Sequence, residues 1–171
     1  YEGLLEGDIA EMEVSSVSDI IQRGGTVLRT ARSQEFMEPA GFKRALDMLE
    51  NFEIGGLVVI GGDGSLTGGR ELSHAGISVM GLPGTIDNDL AYTECSIGFD
   101  TAVNTVLSAI SNIRDTSSSH GRCTVVEVMG RNCGDIALYA GLAGGAEYIL
   151  IPEKETDLNA MCRKIIQGKN R

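Results

Sequence analysis

Short apolar runs that are rich in β-branched residues and bounded by glycine recur along the chain. One of them, Leu57–Ile60, precedes a glycine and an aspartate, and another, at 78–82, precedes Pro83. Further runs of this kind occupy 26–28, 123–129 and 148–151. Because such runs are typical of strands buried on both faces of a parallel sheet, each of the five predicts a strand.

Apolar residues that recur three or four positions apart predict the helices. Residues 40–52 carry Phe42, Ala45 and Leu49 in this spacing, which gives the segment an apolar stripe facing a sheet. Residues 99–113 repeat the pattern. The other predicted helices are shorter or less regular, and they cover 16–22, 65–74, 133–144 and a segment that begins at 156–157.

Predicted strands and helices alternate along the whole chain. Strand–helix–strand units of this kind place their strands in parallel and cover the sheet with helices. The order therefore predicts an α/β protein with doubly wound, mostly parallel sheets of the Rossmann-like kind.

The composition is that of an ordinary folded protein with an acidic balance. Of the 171 residues, 42% are hydrophobic and only 3 are proline, which excludes a disordered chain. The formal net charge of −10 argues against nucleic acid and anionic membranes as partners, since neither supplies a counter-charge. An anionic substrate remains compatible with this charge, provided that arginines are concentrated locally and magnesium is present.

The sequence favours a cytoplasmic protein. It shows no secretory leader and no run of about 18 apolar residues, the length that a membrane-spanning helix needs. Its four cysteines lack the Cys-x-x-Cys spacing of zinc sites, so scattered reduced thiols are the preferred interpretation. They are Cys95, Cys123, Cys133 and Cys162.

Two turns rich in glycine and aspartate follow neighbouring predicted strands. Gly-Gly-Asp-Gly-Ser at 61–65 follows the first strand, and Pro-Gly-Thr-Ile-Asp-Asn-Asp at 83–89 follows the second. Open α/β folds bind ligands at the carboxyl ends of their strands. Glycines let backbone N–H groups approach an anion and aspartates hold a hard cation, so the turns predict a site for phosphate and magnesium. The alternative is that these residues only form turns and satisfy turn amides.

These motifs resemble those of the ATP-dependent 6-phosphofructokinases, in particular the bacterial type. The resemblance continues through Ile-Gly-Phe-Asp-Thr-Ala at 97–102, Arg-Asp-Thr-Ser-Ser-Ser-His-Gly-Arg at 114–122 and Val-Val-Glu-Val-Met-Gly-Arg at 125–131. Arg-Gly-Gly-Thr at 23–26 and Thr-Ala-Arg at 30–32 extend the resemblance towards the start, so it covers essentially the whole chain. Five ordered motifs leave little room for coincidence. The resemblance implies that Mg-ATP phosphorylates the 1-hydroxyl of fructose 6-phosphate, which gives fructose 1,6-bisphosphate in glycolysis.

The resemblance also implies a role for each candidate residue. Asp87 corresponds to the general base, Thr85 to a group that bonds the transferring phosphoryl group, and Arg131 to a group that stabilises the transition state. Asp63 corresponds to the magnesium ligand. The nucleotide is expected at Arg32, Ser33, Gly62, Asp63, Gly64 and Ser65. The sugar phosphate is expected at Thr85, Ile86, Asp87, Arg122, Met129, Gly130 and Arg131.

The resemblance further concerns the donor and the assembly. Pyrophosphate-dependent relatives carry aspartate at the position of Gly64 and lysine at that of Gly84, so two glycines favour ATP. Arg122 matches an arginine that reaches a neighbouring subunit, which implies a homo-oligomer, a tetramer in the family.

The resemblance also predicts the domains: residues 1–98 correspond to part of the larger ATP-binding domain and 99–171 to part of the smaller sugar-binding domain. Because members of the family are considerably longer, we expect this sequence to be an internal fragment.

Regulation and function each leave alternatives open. Arg114 and Glu147 match positions that contact the allosteric effector, but Val14 stands where an effector arginine is usual. Arg114 could instead cap the carboxyl end of the helix at 99–113. The alternatives to the main function are a pyrophosphate-dependent phosphofructokinase, a lipid or nicotinamide-nucleotide kinase with a Gly-Gly-Asp-Gly turn, and a catalytically incompetent fragment or regulatory subunit.

Overall fold

The computed structural model describes residues 1–169, which divide into two compact units. Unit 1 comprises residues 1–57 and 72–78, and unit 2 comprises residues 58–71 together with the chain from residue 79 onward. The predicted division into a nucleotide domain and a sugar domain between residues 98 and 99 stays a prediction.

Unit 1 is built around two helices, α1 (Glu2–Glu6) and α2 (Pro39–Asn51). The helix predicted at 40–52 is confirmed with a shift of one residue, and Pro39 opens it, since a proline there removes no helical hydrogen bond. The ring of Phe36 lies between two others: it stacks on Tyr1 at 4.1 Å between centroids and meets Phe42 edge-on at 5.6 Å. This cluster fixes the start of the chain to α2.

Unit 2 contains most of the sheet and the longer helices. Its elements follow the chain as β1 (Leu57–Gly61, whose first residue belongs to unit 1), α3 (Asp63–His74, whose last three residues belong to unit 1), β2 (Val79–Thr85), β3 (Ile97–Gly98), α4 (Phe99–Ser119), α5 (Asp135–Ala143) and α6 (Leu158–Lys169). The strand order is β1-β2-β3, and β2 pairs in parallel with β3 through Gly84 with Ile97 and Thr85 with Gly98. The predicted α/β architecture with a parallel sheet is confirmed.

The core of unit 2 lies between α4 and α5. Phe99 and Val103 of α4 are buried against Ile136 and Ala140 of α5. The ring of Phe99 also meets Tyr139 at 5.5 Å in an edge-to-face arrangement, which aromatic quadrupoles favour. This packing anchors the start of α5, and with it the loop that precedes α5.

Three predicted strands, at 26–28, 123–129 and 148–151, do not form among the described residues. At 26–28 the amide of Arg29 bonds the carbonyl of Thr26 in a turn. The segment at 123–129 is mostly exposed, with Val125 accessible to 85%, and only Val128 packs against a core. An apolar run forms a strand only where a neighbouring strand pairs with its N–H and C=O groups, and the sheet described within residues 1–169 consists of β1, β2 and β3 alone.

Two predicted helix boundaries are also wrong. In place of a helix at 16–22 the chain forms a 3₁₀ turn at Val14–Val17, and the left-handed conformation of Asp19, at φ 57°, prevents its continuation. The helix predicted at 99–113 continues to Ser119 although its apolar stripe ends earlier. Hydroxyl groups in this extension bond carbonyls one turn back, as Ser119 does to Asp115 at 2.8 Å.

No helix within residues 1–169 combines the length and the apolar character that crossing a bilayer requires.

Candidate active site

The two glycine- and aspartate-rich turns meet in unit 2. β1 ends at Gly61 and α3 begins at Asp63, so Gly62 is the single residue between the strand and the helix. A Cβ atom on Gly62 would lie 3.3 Å from Cβ and 3.5 Å from Oγ1 of Thr85, the last residue of β2. The backbone of the first turn therefore lies directly against the side chain that opens the second.

A second close approach reinforces this contact. A Cβ atom on Gly84 would lie 3.0 Å from Cγ2 of Ile60 and 3.5 Å from the backbone nitrogen of Gly61. In contrast, a Cβ atom on Gly64 would meet nothing within 4 Å. Gly62 and Gly84 bring the strand ends together, whereas Gly64 leaves space open beside the amino end of α3.

The turn after β2 is organised by its own side chains. The hydroxyl of Thr85 accepts a hydrogen bond from the backbone N–H of Asp87 at 3.2 Å. Thr85 thus contacts the first turn on one side and fixes Asp87 on the other. Asp87 itself is half-buried in this turn.

The next residue, Asn88, has a left-handed backbone at φ 55° and makes three hydrogen bonds. Its Nδ2 donates to Oδ2 of Asp135 at 2.8 Å, and its Oδ1 accepts from the backbone N–H of Ser96 at 3.0 Å. Its carbonyl accepts a weak bond from the thiol of Cys133 at 3.9 Å. Sequence reasoning missed Asn88, and the only available signal was that asparagine tolerates left-handed turns.

The loop that carries Arg131 is a tight turn in front of α5. Gly130 is buried with φ 148°, Arg131 is left-handed at φ 56°, and the N–H of Cys133 closes the turn on the carbonyl of Gly130 at 2.8 Å. A non-glycine residue in a left-handed conformation costs free energy and is often found at functional sites. The carboxylate of Glu153 supports the loop by accepting the N–H of Gly134 at 2.7 Å.

Cys133 lies among acidic groups at the centre of this loop. Burial raises the pKa of its thiol, the N–H of Asp135 lowers it, and the negative charges of Asp135, Glu153 and Asp89 raise it further. The net shift is upward, so the thiol stays protonated and can act as a donor to Asn88. The same three carboxylates concentrate negative charge around Cys133, two residues after Arg131.

Gly134 gives a prediction for stability. A Cβ atom there would lie 2.5 Å from Cβ of Ile151 and 2.6 Å from Oε2 of Glu153, and Gly134 is buried. Overpacking of this kind typically costs about 1–3 kcal/mol. We expect Gly134→Ala to lower the free energy of unfolding by about this amount in urea titrations.

Gly55→Ala is the matched control for this variant, because a Cβ atom on the exposed Gly55 would meet nothing within 4 Å. Equal unfolding midpoints for the two variants would show that the close approach at Gly134 has no energetic weight.

The other candidate residues are distributed over both units. Asp63 is exposed in the first turn of α3, and Ser65 lies one position further along the helix from the open Gly64. Arg32 and Ser33 belong to unit 1, where the hydroxyl of Ser33 accepts from the N–H of Phe36 at 3.3 Å. Within unit 2, the side chain of Ile86 lies beside Gly98, where an added Cβ atom would be 3.6 Å from its Cγ2. Met129 is exposed next to Gly130. Arg122 follows α4, and its backbone N–H donates to the carbonyl of Ser117.

Arg114 has a different partner from the one that the sequence suggested. Because α4 continues to Ser119, Arg114 lies inside that helix and cannot cap its end. Its guanidinium instead donates to the carbonyl of Gly144 at 2.6 Å, at the carboxyl end of α5. Glu147 is exposed and lines a surface cavity of about 260 Å³ formed by residues 146–151 and 154–156. Their role in effector binding stays a prediction.

A glycine turn at the amino end of a helix, beside a carboxylate turn at the next strand end, is typical of α/β proteins that bind phosphate groups. The phosphofructokinase family model matches residues 1–171, the whole sequence. This chain belongs to the phosphofructokinase family.

Individual relatives agree with this assignment. The ATP-dependent 6-phosphofructokinases of Clostridium tetani and of Clostridium botulinum strain Hall are each 64% identical over 169 residues, which is 99% of this chain and 53% of theirs. The solved phosphofructokinase structure from Saccharomyces cerevisiae superposes with a TM-score of 0.88 at 37% identity, covering 99% of this chain and 26% of that one. The chain therefore spans about half the length of the curated relatives it matches.

Proposed function

We propose that the full-length protein carrying this sequence transfers the γ-phosphoryl group of ATP to the 1-hydroxyl of fructose 6-phosphate. The observation that carries the proposal is the close approach of Gly62 and Thr85, because it joins the glycine turn, where we expect the phosphates, to the turn that holds Asp87. The printed names of the Clostridium relatives, ATP-dependent 6-phosphofructokinases, support the same reaction. The proposal places the protein in glycolysis and in the cytoplasm.

The donor side of the site is formed by the start of α3. The amino end of a helix carries a partial positive charge and N–H groups directed at an anion, so Gly62 to Ser65 would hold the nucleotide phosphates. The described residues contain no group of three or more acidic, histidine or cysteine side chains that could hold a metal alone. Magnesium commonly uses one or two carboxylates plus substrate phosphates, which the exposed Asp63 at this helix end fits. When bound, magnesium would neutralise charge on the phosphates.

The acceptor side is formed by the turn after β2. The carboxylate of Asp87 would accept the proton of the attacking 1-hydroxyl, and the hydroxyl of Thr85 would bond the group in transfer. Ile86, Met129 and Gly130 would complete the sugar contacts.

Three arginines are proposed to bind the anionic substrates, Arg122 and Arg131 from unit 2 and Arg32 from unit 1. Arg131, at the tip of its tight turn, would stabilise the negative charge of the transition state, and Arg32 would neutralise charge on the donor phosphates. Arg122 would bind the sugar phosphate of a neighbouring subunit in a homo-oligomer, since planar arginine forks match phosphate oxygens in pairs. The exposure of Arg32, Arg122 and Arg131 supports these roles, because each guanidinium is available to an incoming ligand.

The reaction can be tested with the full-length protein in an assay that couples fructose 1,6-bisphosphate to its cleavage by aldolase. We expect product with ATP, Mg²⁺ and fructose 6-phosphate, and much less when pyrophosphate replaces ATP. A higher rate with pyrophosphate would reverse the donor assignment. Absence of product from either donor would contradict the proposed function.

A further inference from the structure

We propose that Asn88 is a positioning residue, which holds the Asp87 turn and the Arg131 loop in a fixed relation. The inference rests on the proposed function, because it concerns the two groups assigned there to proton removal and to charge stabilisation. Its basis is a set of bonds that no catalytic motif accounts for.

The bonds of Asn88 join segments that are far apart in the sequence. Asp135, which accepts from Nδ2, lies 47 residues further along the chain, and Cys133, which donates to the Asn88 carbonyl, lies 45 residues further. Asp135 is the first residue of α5, and its carboxylate is half-buried. Asn88 is thus bonded at two points, Cys133 and Asp135, to the stretch that runs from the Arg131 turn into α5.

The chemistry of the partners fixes which end of the amide faces each of them. An ionised carboxylate only accepts hydrogen bonds, so Asp135 requires the NH₂ end of Asn88. A backbone N–H only donates, so Ser96 requires the carbonyl end. An aspartate at 88 would supply the acceptor but not the donor, and a glycine would supply neither.

The arrangement couples the two proposed reacting groups through few atoms. Asp87 precedes Asn88 directly, and the N–H of Cys133 bonds the carbonyl of Gly130, which precedes Arg131 directly. The left-handed backbone of Asn88, at φ 55°, directs the chain so that these bonds form together. Loss of the amide would therefore release both turns, and a misplacement of about 1 Å can cost about 10²-fold in rate.

Asn88→Asp is the most informative variant, because it keeps the acceptor for Ser96 and sets a carboxylate against Asp135. At neutral pH we expect kcat to fall by about 10²-fold, while KM for ATP changes little. Two adjacent carboxylates raise the pKa of one of them, and a proton shared between the two restores a donor. Activity relative to the unaltered protein should therefore recover as the pH is lowered, which loss of stability alone would not produce.

The exchanged pair provides the matched control. Asn88→Asp combined with Asp135→Asn reverses donor and acceptor while preserving both the hydrogen bond and the net charge. We expect this double variant to recover most of the lost kcat. A kcat for Asn88→Asp within twofold of the unaltered protein, or a double variant no faster than the single one, would overturn the proposal.

A second measurement does not depend on the reaction. Asn88→Gly retains a left-handed backbone without the side-chain bonds. We expect faster hydrogen–deuterium exchange in both the 85–89 and the 130–135 segments than in the unaltered protein at the same pH. Faster exchange in only one of the two segments would refute the coupling through Asn88, whatever the protein catalyses. Failure of the unaltered protein to form fructose 1,6-bisphosphate would refute the proposed reaction and leave the coupling standing.

Discussion

In the Asp87→Ser variant of the full-length protein, kcat for ATP and fructose 6-phosphate is expected to fall by about 10²–10⁴-fold. General-base catalysis by a positioned side chain contributes a factor of this size. The backbone N–H of residue 87, which bonds Oγ1 of Thr85, remains in the variant, so the turn itself should persist. We therefore expect the affinity for fructose 6-phosphate to stay within a few-fold of its original value.

Steady-state kinetics with direct sugar-phosphate binding measurements would separate the two effects. Asp47→Ser is the matched control, because Asp47 is an exposed carboxylate on α2, remote from both motifs in the sequence. It should leave kcat unchanged. If Asp87→Ser retained a kcat close to that of the control, Asp87 could not be the base.

The second large effect is expected from Gly64→Asp combined with Gly84→Lys. A Cβ atom on Gly64 meets nothing within 4 Å, so an aspartate there would project into the space proposed for the nucleotide. Juxtaposed like charges cost several kcal/mol, and every 1.4 kcal/mol is about tenfold in affinity. We expect kcat/KM for ATP to fall by about 10²-fold or more, which kinetics with varied ATP would measure.

The two single variants separate the loss of ATP use from the loss of stability. Gly64→Asp should fold normally, because the space is open and a negative charge is favourable in the first turn of α3. Gly84→Lys should also lower stability, since its Cβ atom would be 3.0 Å from Ile60. Gly55→Asp makes the same change as Gly64→Asp at another open glycine and should leave ATP kinetics unaltered. Unchanged ATP kinetics in the double variant would remove the basis for choosing ATP over pyrophosphate.

The parts of the fold that were predictable from sequence are those with local causes. The strands before the two motifs and the helix at 40–52 depend on apolar spacing within one segment, and both strands appear in the structure. The meeting of the two motifs was also predictable, because neighbouring parallel strands end at the same edge. Glycine at positions 62 and 84 permits the observed proximity.

The parts that were missed depend on contacts between distant segments. The run at 123–129 resembles a strand by composition, but the described sheet offers it no neighbour. In the sequence Asn88 resembles an ordinary turn residue, and only its bonds to Ser96 and Asp135 indicate a positioning role. Nothing in a local sequence pattern indicates that a side chain will bond a partner 47 residues away.

The central claim is that one site holds the nucleotide phosphates at α3 and the acceptor hydroxyl at Asp87. A crystal structure of the full-length protein with fructose 6-phosphate, Mg²⁺ and a non-hydrolysable ATP analogue tests it directly. We predict the phosphates at Gly62–Ser65 and a distance of about 2.6–3.2 Å between the Asp87 carboxylate and the sugar 1-hydroxyl. Phosphates bound away from this helix end, or a 1-hydroxyl that does not face Asp87, would contradict it.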